Sequence, residues 1–239
     1  MANMPKGAVR PSLQLDGTAM YMNHDGYIAR AVRGSDDAAF AAPTRVPEFV
    51  GLVFAGVAIA DNGLRLYLHG DANNGEDRIA VASRASLRAA WQTPVLLSVG
   101  TAPHHEIYPA ISGDELRLYW TDYEAGLKVK WASRTSVAAP FVAQTEIPGL
   151  NVGQVWMPTE SHSGLELFFT RNDDVWRMTR ATLADAWGSP ERVDELSSSA
   201  IDYVGTLSAD DSTMYFNYQN SAQPAEFTLW LSKRWCERL

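Results

Sequence analysis

The sequence predicts an all-β chain folded as a five-bladed β-propeller of four-stranded repeats, each about 49 residues long, and three observations carry that expectation. Apolar residues alternate with period two in LRLYL (64–68), LRLYW (116–120), LELFF (165–169) and TMYF (213–216), while helical periodicity is hard to find. The central aromatics of these strands, Tyr21, Tyr67, Tyr119, Phe168 and Tyr215, fall 46, 52, 49 and 47 residues apart. An arginine closes the following strand in every copy (Arg33, Arg84, Arg134, Arg180, Arg234), and Phe40, Trp91, Phe141 and Trp187 stand seven residues after the first four.

The copies divide residues 1–239 as one domain, with blades at approximately 9–52, 53–104, 105–153, 154–201 and 202–239. The first blade has the turn LDGT before Tyr21, and the second has DNG before Tyr67, tight polar connections of the kind antiparallel strands need. The third shows the whole unit: strand a around YPAIS (108–112), b in LRLYWT (116–121), c in LKVKWAS (127–133) and d in FVAQTEI (141–147). The fourth departs from the pattern, with Glu160 where the others carry Leu13, Ile59, Ile111 and Leu207; the expectation is a local register shift that turns Glu160 to the surface. The fifth ends five residues after Arg234, before a d strand, so the last blade either lacks its outer strand or is closed by residues 1–9. An unpaired edge there would invite self-association.

The segments PAISGDELRLYW with VKWASR, and TLSADDSTMYF with LWLSKR, resemble the bacterial WD40-like repeats of TolB (PD40-type) propellers. The resemblance spans nearly the whole chain and implies architecture rather than activity, because such repeats serve scaffolds, binding proteins and some enzymes. The repeated arginines invite a structural reading: each lies on the face of the a–b turns, where Asp16, Asp114 and Asp210 are expected to pair with them.

Bulk composition narrows the partners. A formal charge of -8 without a Lys/Arg cluster disfavours nucleic acid. No apolar run approaches the roughly 20 residues of a membrane helix, and the start MANMPKGAVRPS lacks the apolar core of a secretory signal. The expectation is a soluble protein of undetermined compartment, cytoplasmic unless a leader has been removed. The single Cys236 can form no internal disulfide.

Ligands of propellers usually bind where the d–a and b–c loops open. Thirteen residues before each marker aromatic stand Ala8, Phe54, Glu106, Val155 and Asp202, so the carboxylates are not demanded by the repeat. The candidate ligand-binding set is His104, His105, Glu106, Tyr108, Asp122, Tyr123, Trp156, Asp202 and Tyr203. Asn151, Gln154, Glu195, His24, Asp25, His69, Asp71, Arg171, Asp173, Asn217 and Tyr218 stand in neighbouring loops. Rings beside amides and carboxylates suit a polar small molecule or glycan, and suit a protein partner too. The preferred reading is a non-enzymatic binding or scaffolding module without a cofactor. The alternative is a hydrolase or lyase, glycosidase-like or assisted by a divalent metal, using Glu106, Glu160 and Asp202 with His105.

Overall fold

The computed structural model describes residues 8–35, 38–71, 75–100, 103–124, 126–219 and 227–233. They form five antiparallel sheets arranged as a ring of propeller blades. The first blade comprises β1 (Ala8–Leu13), β2 (Ala19–His24), β3 (Tyr27–Val32) and β4 (Thr44–Arg45). The second comprises β5 (Phe54–Ile59), β6 (Arg65–Asp71), β7 (Asp77–Ser83) and β8 (Val95–Leu96). The third has β9 (Glu106–Ile111), β10 (Arg117–Asp122), β11 (Lys128–Ser133) and β12 (Val142–Ala143). The fourth has β13 (Val155–Glu160), β14 (Glu166–Arg171), β15 (Asp174–Thr179) and β16 (Glu191–Arg192). Among the described residues the fifth has three strands, β17 (Ile201–Leu207), β18 (Thr213–Gln219) and β19 (Phe227–Lys233). The expected d strands shrink to two-residue pairings at the exposed rim, where few side chains can be buried.

Alternation turns one side of each b strand toward the preceding blade and the other toward the next, so both sides are apolar. Tyr21, Tyr67, Tyr119, Phe168 and Tyr215 are all buried, and five hydrophobic clusters lie one at each blade-to-blade junction. The cluster joining Tyr215 to Leu13, Met20 and Phe40 closes the ring. Ala8 and Val9 pair with His24 and Asn23 inside the first blade, so these two residues belong to its innermost strand and not to the fifth blade. Residues 1–7 and Arg234 lie outside the described residues.

The seven-residue arginine–aromatic spacing has a physical origin that the sequence left unexplained. The guanidinium carbons of Arg33, Arg84, Arg134 and Arg180 lie 4.2–4.5 Å from the ring centres of Phe40, Trp91, Phe141 and Trp187. Each Nε donates to a carbonyl of its own a–b turn, at Gly17, Gly63, Glu115 and Gly164, over 2.6–2.7 Å. The expected pairing of Arg33 with Asp16 and of Arg134 with Asp114 is therefore corrected, while Arg234, the arginine expected for Asp210, lies outside the described residues. Those short carboxylates fold back on the backbone N–H two residues on, at Thr18, Leu116 and Ser212. Hydroxyls of Ser208 and Ser212 hold the Asp210 carboxyl down at about 2.

Glu160 is also corrected: it stays in register at the end of β13 with its side chain fully buried. Arg180 Nη2 donates to it over 2.8 Å, and Arg117 Nε reaches both its oxygens at 3.1 Å. Arg65 occupies the same repeat position as Arg117 and reaches Glu115 in the third blade, Nη2 to Oε1 at 2.7 Å. Among the described residues Glu160 is thus one of two buried carboxylates that receive an arginine from the preceding blade. Burial pushes its carboxyl up to about 7, and the two arginines work against that shift.

Candidate functional site

Every innermost strand carries a bulge near its start, where the pairing register slips by one residue. In three blades the bulge is an X-Pro pair whose first residue takes a left-handed backbone: Arg10 (φ 57), Tyr108 (φ 55) and Met157 (φ 51). Gly56 holds the same repeat position in the second blade, where a Cβ would stand 2.3 Å from His69 Nδ1. The bulge breaks strict alternation, so two successive side chains can face the axis.

The freed N–H groups are collected by the neighbouring blade. Two residues after the marker aromatics stand Asn23, His69, Thr121, Thr170 and Asn217, polar in all five copies. Asn217 Oδ1 accepts from Arg10 N at 2.8 Å, and His69 Nδ1 accepts from Tyr108 N at 3.1 Å. Thr121 Oγ1 accepts from Met157 N at 3.1 Å, and Thr170 Oγ1 accepts from Val204 N at 3.2 Å. Four of the five blade junctions thus carry one repeated polar bond around the channel waist. Burial, with Arg10 nearby, holds His69 far below the usual imidazole range, so it is the neutral ring that accepts.

Above this waist the channel widens into a cavity of about 240 Å³ lined by Arg10, Asn23, Tyr108, Trp156, Met157, Tyr203 and Asn217. Below it the channel narrows to about 40 Å³ between the bulges and reopens to about 60 Å³ at the a–b turn end. That lower end is crossed by His162, whose Nδ1 lies 3.0 Å from Asp61 Oδ1, linking the fourth blade to the second. Trp156 and Tyr203 meet with ring centres 5.5 Å apart. Arg10 lies across the Tyr108 ring, 3.7 Å from guanidinium carbon to ring centre, and Nη2 donates to the Tyr108 hydroxyl at 2.5 Å.

Of the sequence-selected residues Tyr108, Trp156 and Tyr203, with Asn217 from the neighbouring loops, line this cavity. Glu106 is buried in the junction between the second and third blades: Oε2 accepts from Ile79 N at 3.1 Å, and Oε1 lies 2.8 Å from His104 Nδ1. Asn151 and Ser197 receive the N–H of Val129 and Val175, the equivalents of Ile79 five residues before each closing arginine. The Glu106 carboxylate thus does backbone work that neutral side chains do in other blades. Asp202 is buried as well, accepting from Ser198 N at 2.6 Å and from Ser198 Oγ at 3.2 Å; burial raises its carboxyl. His105 packs on Tyr123, ring centres 4.7 Å apart, while Tyr123 donates to Asp77 Oδ2 at 2.8 Å and Asp122 accepts from Glu124 N at 3.0 Å. These groups belong to loops around the third blade. The carboxylates also fail to meet one another: Glu106 and Asp202 start their strands, whereas Glu160 ends its own on the opposite face.

Among the described residues no three His, Cys, Asp or Glu side chains gather as a metal site, and no helix is long and apolar enough to cross a membrane. Sequence reasoning missed Arg10, Asn23 and Met157. The signal was present eleven residues before each marker aromatic, where Arg10, Gly56, Tyr108, Met157 and Val204 differ in every copy, with proline next in three.

No protein-family model matches the chain, and no curated protein matches it. Solved structures do share its architecture. A putative TolB from Agrobacterium tumefaciens superposes with a TM-score of 0.61 at 14% identity, over 95% of this chain and 76% of that one. The fold is a TolB-like β-propeller. A GH43 endo-arabinanase from Bacillus licheniformis shares it with a TM-score of 0.66 at 12% identity, over 99% and 98% of the two chains. A thermostable family-43 glycoside hydrolase gives 0.68 at 12% identity, over 100% and 92%. At such identities the TolB-like propeller is common ground in fold alone.

Proposed function

We propose that this TolB-like propeller is a binding module that holds a polar small molecule, about the size of a monosaccharide, in the axial mouth. The observation that carries the reading is the 240 Å³ cavity, to which the first, third, fourth and fifth blades contribute three aromatic rings, two amides and a guanidinium. Rings offer faces for stacking a sugar or similar ring, and amides beside them can donate to and accept from hydroxyls. The glycosidase-like alternative has weaker support. Such chemistry needs two carboxylates about 5 to 9 Å apart flanking the scissile bond. Glu106 and Asp202 are committed to backbone and loop bonds beside the cavity, and Glu160 lies at the far end of the channel.

The test is ligand-detected NMR with glucose, galactose and their uronic acids. Saturable binding of at least one sugar, lost in Trp156→Ala, is the expected result. Binding that persists unchanged in that variant, or no binding of any of the four, would overturn the reading.

A further inference from the structure

The cavity has a chemical bias beyond its size and its rings. Among the described residues Arg10 is the one cationic group of its lining, and none of the described lining residues is a carboxylate. Among the described residues no Asp or Glu forms an ion pair with Arg10, and its guanidinium bonds to the neutral Tyr108. A guanidinium remains protonated in proteins, and buried charges are normally paired. The first blade even accepts a left-handed backbone at this non-glycine residue, and that geometry carries the side chain to the axis.

Resting on the proposed binding function, we infer that the mouth is a receptor for the carboxylate of a sugar acid, with Arg10 as the group that reads the charge. Tyr108 presses on one face of the guanidinium and fixes Nη2 through its hydroxyl, so the fork is held in place before a ligand arrives. A planar guanidinium presents paired N–H donors that match a carboxylate in two-point contact. Trp156 and Tyr203 provide the stacking faces, and Asn23, on the strand paired beside Arg10, adds an amide to the wall for hydroxyl groups. Burial, the main influence on Arg10, lowers its proton affinity, and an incoming anion would offset that cost of desolvation. The chain as a whole carries -8, so the attraction is local to the cavity and should fade with added salt.

The decisive comparison is D-glucuronate against D-glucose, two probes of nearly the same shape that differ in the carboxylate, measured by ligand-detected NMR on the full chain. Expected is a preference for glucuronate of roughly tenfold or more at low salt, the scale of a charge-assisted pair, shrinking as salt is added. Arg10→Gln should bring glucuronate down to the level of glucose, and Tyr108→Phe, which keeps the ring but removes the anchoring hydroxyl, should reduce the preference in part. Equal binding of the two sugars by the wild type, or a preference indifferent to salt, would overturn the carboxylate inference and leave the sugar-sized cavity standing. A preference that survives in a folded Arg10→Gln protein would do the same. Failure of both probes, with wild type and Trp156→Ala indistinguishable, overturns both readings.

Discussion

His69 is the most informative position to perturb, because its role in the waist requires the uncharged ring. The second blade uses its Nδ1 to accept from Tyr108 N, where the fifth uses the Asn217 amide oxygen to accept from Arg10 N. His69→Asn should therefore keep the bond and remove the titration. Burial and the neighbouring Arg10 lower the folded-state pKa, so the unfolded chain binds the proton first as pH falls, and stability declines below the ordinary imidazole value of about 6.5. With the folded ring still neutral, protonation of the unfolded chain alone removes about 1.4 kcal/mol between about pH 7.5 and about pH 5.5. For a chain of this length that corresponds to roughly 3 to 6 °C in melting temperature. The assay is thermal and urea unfolding of both proteins at the two pH values, read as a difference of differences so that other titrating groups cancel. The variant should lose less stability than the wild type on acidification by that amount, whatever its offset at neutral pH. Identical acid dependence in the two proteins would refute the argument that His69 is held neutral.

Three further outcomes are expected. Arg134→Met, which deletes the bond to Glu115 O and the contact with Phe141, should cost about 2 to 3 kcal/mol in urea unfolding while sugar binding in the mouth is retained. Glu160→Leu, which installs the apolar residue of the other copies, should cost about 3 to 5 kcal/mol by taking from Arg180 its carboxylate and leaving Arg117 with the half-exposed Asp114 alone, and adding Arg117→Leu should recover part of that loss. Burial opposes the charge on His162, but Asp61 and Asp211 raise its pKa, so its stabilising contribution is present below about 6.5 and lost as pH rises through the folded value. His162→Gln should accordingly lower the melting temperature at about pH 5.5 more than at about pH 8.5; an equal loss at both would remove the clasp between the second and fourth blades from the account.

Much of the architecture was legible because it rests on local chemistry repeated five times. Period-two strands, acidic or glycine-bearing turns and the marker aromatics recur at intervals of about 49 residues, and any one copy can be read without knowing the others. The arginines were legible as structural, but their partner was misread. Spacing shows that Arg134 and Phe141 keep step, whereas only the folded chain shows the ring under the guanidinium and the turn carbonyl at its Nε.

The site was less legible for a definite reason. His104, His105 and Glu106 stood out because they are polar and unrepeated, yet Glu106 is consumed by the Ile79 N–H and by His104. Arg10 did not stand out, since alternation alone does not say where a lone arginine near the start of a strand will point. The sequence by itself determined the number of blades, their strand order and the polar a–b turns, all consequences of near-neighbour backbone geometry. Tertiary structure decided which side chains reach the axis, because a one-residue bulge in each inner strand resets the alternation and a polar group from the blade before it must be in place to receive the freed N–H.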